Sequence, residues 1–182
     1  MPITPLERLG IVVGSLVLSL GLIAVLSGFF AGRDSAGVTG ALGQPGSAFR
    51  DLGAEHIRPG QPRLPYNSNP PTSGPHVPAA VRHDQSRLSD DQLLEALELG
   101  NVVFAYGGPM PPAGLIKAAR SVAPAFSPAL AASGQTVILD HRPGTAGIVA
   151  LAWTHMLRLG SPGDPALRQF AEFWLGRGAP GH

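Results

Sequence analysis

The stretch that most limits how this chain can fold is Tyr66-Asn67-Ser68-Asn69-Pro70-Pro71-Thr72-Ser73-Gly74-Pro75-His76. Its eleven residues hold three prolines, a glycine and five serine, threonine or asparagine side chains. Prolines remove backbone donors and fix φ, and Gly74 admits conformations closed to other residues, so the segment is neither helix nor central strand. Each X-Pro junction also pushes the preceding residue toward extended geometry, which leaves little backbone entropy to lose on binding. Such a stiff loop suits a scaffold or a ligand cradle, with Tyr66, Asn67, Asn69, Pro70, Pro71, Ser73 and His76 as candidate ligand or partner contacts. The plainer alternative is a polar connection folded over a core.

Toward the N-terminus the sequence has a different character. Residues Gly10 to Ala31 carry no charge. At 1.5 Å rise per residue the run is long enough to cross about 30 Å of hydrocarbon. We read 1–9 as a tail, 10–31 as a single transmembrane helix, 32–50 as a Gly/Ala/Ser-rich flexible linker and 51–182 as one folded domain. The rival reading of the apolar run is a cleaved secretory signal with a site near Val25-Leu26-Ser27, but the run exceeds a typical signal core. Arg8 is offset by Glu7 and Arg33 by Asp34, so orientation rests on the default for a signal anchor, with the domain periplasmic or otherwise extracytoplasmic.

With charged residues at 14% and a net charge of +1, there is no electrostatic case for a nucleic-acid partner. The chain has no cysteine, which removes disulfides, thiolate nucleophiles and cysteine-ligated metal sites together.

Ser89 followed by Gln92 forms a capping box, Asp90 and Asp91 favour the positive end, and Gly100 stops the helix they open. Leu93, Leu94 and Leu97 supply its buried face. Asn101 to Tyr106 reads as a core strand, and 115–120 and 128–132 as short helices separated by prolines. The spacing then predicts a hairpin of 136–141 with 148–153 joined through 142–147. A last helix begins at Asp164-Pro165, buries Leu167, Phe170, Phe173 and Trp174, and ends at Gly176. The fold class expected is α+β: a small, mainly antiparallel sheet with two packed helices and the proline-rich loop across it.

His56-Ile57-Arg58-Pro59-Gly60 followed by the proline loop resembles the bacterial DUF3105 family, a family of unknown function. The likeness continues through Leu93–Gly100, Val102–Tyr106, Ala150–Trp153 and Gly178–Pro180, and so spans about residues 54 to 180. The resemblance implies histidines at the positions held here by Glu95 and Leu99, which with His56 and His76 would bring four imidazoles to one transition-metal site. Here a leucine and a glutamate replace two of them. His56, His76 and Glu95 still offer a two-histidine, one-carboxylate set, against the plainer reading of two loop histidines and a solvated glutamate.

Catalysis has little support. Ser73 and His76 lie close in sequence, but no strand–turn–helix elbow surrounds the serine, and His83-Asp84, Asp140-His141 and His155 are scattered. The function expected is therefore a non-catalytic, membrane-anchored accessory subunit without cofactor, docking on other subunits of a larger membrane complex, respiratory or photosynthetic. The alternative is a membrane-tethered binder of a transition-metal ion or small ligand through His56, His76 and Glu95.

Overall fold

The computed structural model describes residues 43–181. The expected transmembrane span at 10–31 and most of the linker lie outside the described residues. Among the described residues no helix is long and apolar enough to cross a membrane.

The strands are β1 (Ser47–Ala48), β2 (Val102–Tyr106), β3 (Val137–His141), β4 (Ile148–Ala152) and β5 (His155–Leu159), in the spatial order β1-β5-β4-β2-β3. The helices are α1 (Asp90–Glu98), α2 (Leu115–Arg120), α3 (Pro128–Ala132) and α4 (Pro165–Trp174). The α+β class holds, with a mixed sheet: β1/β5, β4/β5 and β2/β4 are antiparallel, while β2/β3 is parallel.

That parallel pair corrects the hairpin expected between 136–141 and 148–153. β2 lies between those two strands, with Val102 opposite Val137 and Val103 opposite Leu151. β2 and β4 are buried along their whole length on both faces. Strands that hide both faces read as continuous apolar runs and carry no alternation to report which neighbour they take. The hairpin that does form joins β4 to β5 through Trp153-Thr154, with Thr154 at φ 60° and Ala152 opposite His155.

Alternate residues of the strands feed two cores. Val102, Phe104, Tyr106, Leu139 and Ala150 pack with Leu115 of α2 and Leu167, Phe170 and Trp174 of α4. Val103, Ala105, Ile138, Val149 and Leu151 pack with Leu93, Leu94 and Leu97 of α1. The sheet is thus covered on both sides, and α1 lies on the face opposite α4. Four helices are present among the described residues; the two short ones at 115–120 and 128–132 fall where proline spacing places them.

Residues 43–50 belong to the domain, although their composition reads as linker. β1 pairs with β5, Phe49 N donates to Thr154 O at 2.8 Å, and Trp174 Nε1 donates to Pro45 O at 2.9 Å. A Cβ on Gly46 would press into the Phe170 ring, so the glycine that looks like tether lets the strand lie flat on the core. The proline loop docks on the β4–β5 hairpin: Thr154 N donates to Thr72 O at 2.9 Å and Arg158 Nη2 to Asn69 O at 2.6 Å. Pro70, Pro71, Thr72 and Ser73 are buried beneath it.

Candidate metal centre

Three segments meet at the C-terminal end of α1. Two of them run side by side: Gly74 N donates to Gly53 O (2.9 Å), His76 N to Glu55 O (3.1 Å) and Ile57 N to His76 O (3.0 Å), which sets His56 and His76 opposite each other in a parallel bridge. Gly74 is needed for this approach, because it sits at φ 132° and a Cβ there would meet the Tyr66 ring at 3.0 Å. Tyr66 in turn donates its hydroxyl to Pro75 O (3.1 Å), and burial raises the pKa of that hydroxyl, so it stays a donor. The imidazole rings stand edge to face, with centroids 5.2 Å apart.

The third segment is α1. Ser89 Oγ accepts from Gln92 N while Gln92 Oε1 accepts from Ser89 N, both at 3.1 Å, which is the expected capping box. Asp91 then ties the helix to the loops by accepting from Val77 N (3.1 Å) and from Arg63. At the far end, Asn101 donates its side-chain amide to Ala96 O (3.0 Å) and Ala131 O (2.7 Å), and its side-chain oxygen accepts from Thr136 N (3.2 Å). The last turn of α1 is held on both sides.

That turn carries two glutamates into the histidine pair. Glu98 Oε2 lies 3.1 Å from His76 Nε2 and 3.3 Å from His56 Nε2. Glu95 Oε2 lies 3.6 Å from His76 Nε2 and 4.0 Å from His56 Nε2. His76 is fully buried and the Glu98 side chain is 2% exposed, whereas Glu95 is 18% and His56 44% exposed. One ligand atom each from His56, His76 and Glu98 falls within 4.8 Å of the other two, close enough to share a metal ion.

The protonation of His76 follows from its neighbours. Its Nδ1 is 3.0 Å from the carbonyl of Gly74, which can only accept, so Nδ1 carries a proton. Nε2 therefore turns its remaining valence toward two carboxylates, and neither His76 Nε2 nor Glu95 Oε2 has a hydrogen bond of acceptable geometry. His56 Nε2 and Glu98 Oε2 are within hydrogen-bonding distance (3.3 Å), and a metal ion shared by these donors would also satisfy His76 Nε2 and Glu95 Oε2. A carbonyl that fixes the tautomer of a histidine from behind is the usual outer partner of a metal-ligating imidazole. With metal–ligand bonds of about 2.0–2.1 Å, the edge of a tetrahedron is about 3.3 Å and the cis edge of an octahedron about 2.9 Å, the range into which the shorter contacts fall.

Glu95 Oε2 lies within 4.0 Å of Nε2 of both His56 and His76, and Glu98, which the sequence reading did not single out, lies closer to both. Around a helix, the positions three and four after Glu95 fall about 60° to one side and about 40° to the other. The loops lie on the Glu98 side. Leu99, where the resemblance implies a histidine, is the C-cap of α1 and lines a cavity of about 190 Å³ with Val81, Glu95 and Ala131, so this cavity adjoins the site through Glu95. The signal for Glu98 was a second carboxylate three residues on, on a helix already assigned.

Other proposed contact residues hold the loop itself. Asn67 donates its side-chain amide to Arg50 O (2.7 Å), and Ser73 Oγ accepts from Leu52 N (3.1 Å). Pro70, Pro71 and Ser73 face inward, while Asn67 and Asn69 are exposed. The bonds of Ser73 run to 50–52, and none joins it to His76.

A family model described as a protein of unknown function, DUF3105, matches residues 56–180. No curated protein and no solved structure matches the chain.

Proposed function

We propose that this chain, which belongs to the DUF3105 family, is a non-catalytic metal-binding module that holds a transition-metal ion between His56, His76, Glu98 and Glu95. The observation that carries this reading is the commitment of His76 Nδ1 to Gly74 O while its buried Nε2 faces two carboxylates. Imidazole and carboxylate together suit first-row divalent ions. The apolar run at 10–31 is the proposed tether, placing the domain outside the cytoplasmic membrane.

The test is elemental analysis of the full chain, extracted in mild detergent and incubated with first-row divalent ions before desalting. One retained ion per chain, lost from a His56→Ala/His76→Ala variant that keeps the wild-type circular dichroism, is expected. A wild-type protein that emerges metal-free from every incubation would refute the reading.

The second reading, an accessory subunit docked on a respiratory or photosynthetic membrane complex, draws on Leu64 and Met110, large apolar side chains that are 84% and 76% exposed. The same extract separates the two on a sizing column. Co-migration with other membrane proteins supports docking, and a free monomer rules it out.

A further inference from the structure

We infer that the centre is a closed, four-donor site for a divalent ion, in which Glu95 fills the last coordination position and the ion serves as a staple between the paired loops and α1. This rests on the metal-binding reading above and goes further, in assigning the charge of the ion, the ligand that closes its shell and what the ion does.

The charge follows from the donors. With His76 Nδ1 bonded to Gly74 O, a ligating His76 is a neutral imidazole, and His56 ligates in the same form. Glu95 and Glu98 bring two negative charges to a place where Glu98 is 2% and His76 0% exposed. A divalent ion leaves this site neutral. A monovalent ion such as Cu(I) leaves a net negative charge beside the buried His76 and Glu98, which is costly, and it also meets no thiolate or thioether among the four donors.

The closure of the shell rests on Glu95. Its Oε2 is buried and has no hydrogen-bond partner, although the side chain as a whole reaches solvent. It points inward, 3.6 Å from His76 Nε2 and 4.0 Å from His56 Nε2, the two atoms that a shared ion would also contact. Both distances exceed the tetrahedral edge of about 3.3 Å, so a modest inward turn of Glu95 completes the tetrahedron. Four protein donors with no position left for water describe a structural site, and a catalytic site keeps one position open.

The staple follows from where the donors originate. His56 lies on the segment after Gly53, His76 closes the proline loop, and Glu95 and Glu98 sit on the last turns of α1. Between the two loop segments there are three backbone hydrogen bonds. To α1 they are joined through Asp91 at its opposite end and, at this end, through the contacts of His56 and His76 with Glu98. An ion bound there replaces these contacts with metal–ligand bonds and adds Glu95 to the attachment.

Cobalt(II) is the probe, because a four-coordinate tetrahedral shell gives strong visible d–d bands and a six-coordinate one gives weak bands. Wild-type full chain loaded with Co²⁺ is expected to show the strong bands and to keep them unchanged when azide is added. Glu95→Ala, which leaves a good helix former in place, is expected to bind Co²⁺ about 10- to 100-fold more weakly. Its bands should shift with azide, since water now holds the fourth position. Glu95→His restores a donor and should again be indifferent to azide. Weak bands in the wild type, a spectral response of the wild type to azide, or unchanged affinity in Glu95→Ala would each overturn the closed shell while leaving metal binding intact. Failure of the wild type to take Co²⁺ or any other divalent ion overturns both readings.

Discussion

At the scale of single residues, the surroundings separate the two buried histidines among the described residues. His76 is buried against carboxylates, and His155 is buried against carbon. The ring of His155 stacks on Trp174 with centroids 3.9 Å apart, its Nδ1 lies 3.1 Å from Trp153 O, and its Nε2 is without a partner. Burial lowers its pKa below 6.5, opposed by the Trp153 carbonyl. A depressed histidine favours the neutral form in the folded state, so the unfolded chain takes up a proton that the folded one refuses. Stability is therefore full above the unfolded pKa and falls as pH drops through it, levelling once pH passes the lower folded value. Urea unfolding in the presence of chelator should show a loss between about pH 7.5 and pH 5 that is smaller in His155→Gln. An equal loss in both proteins would assign the acid sensitivity elsewhere. His155 was legible in the sequence as a histidine near a strand end and no more, because stacking on Trp174 depends on a β4–β5 turn that the apolar pattern did not announce.

At the scale of elements, α1 is the part most completely written in local sequence. Ser89, Gln92, Asp90, Asp91 and Gly100 each act within one turn of the chain, and the helix runs over Asp90–Glu98 as they require. Because Glu95 and Glu98 occupy its last turns, helix stability and site geometry are coupled. Ser89→Ala removes one half of the capping box and should cost about 1 kcal/mol of folding stability, read by denaturant titration. Ion affinity measured in the same variant should fall by less than tenfold, since Asp91 still holds α1 to the loops and Asn101 still ties it to α3 and to Thr136. Full retention of stability would mean that the packing of Leu93, Leu94 and Leu97 alone sets the helix. The strands contrast with this. β3 and β4 were recognisable as apolar runs, yet their partner is β2, chosen by two-sided burial across tens of residues.

For the whole molecule, the domain is a sheet covered on both faces, with the described N-terminal segment and the proline loop both laid on the β4–β5 hairpin. An ion held between loops and α1, as proposed, would bind the folded state alone. At a free concentration near 100 times its dissociation constant it adds about 2.7 kcal/mol, which for a domain of this size is about 5–10 °C in Tm. Chelator should lower the melting temperature by that amount in the wild type and leave a His56→Ala/His76→Ala variant unmoved. Identical melting with and without chelator would show that no ion contributes. Local order was determined by the sequence itself: which segments are helices, where they start and stop, and that 66–76 is neither helix nor strand, since caps, prolines and apolar periods act over a few residues. The parallel neighbour of β2, the inclusion of 43–50 in the sheet and the arrival of Glu98 beside His56 and His76 were decided only in three dimensions, because each depends on surfaces brought together from distant parts of the chain.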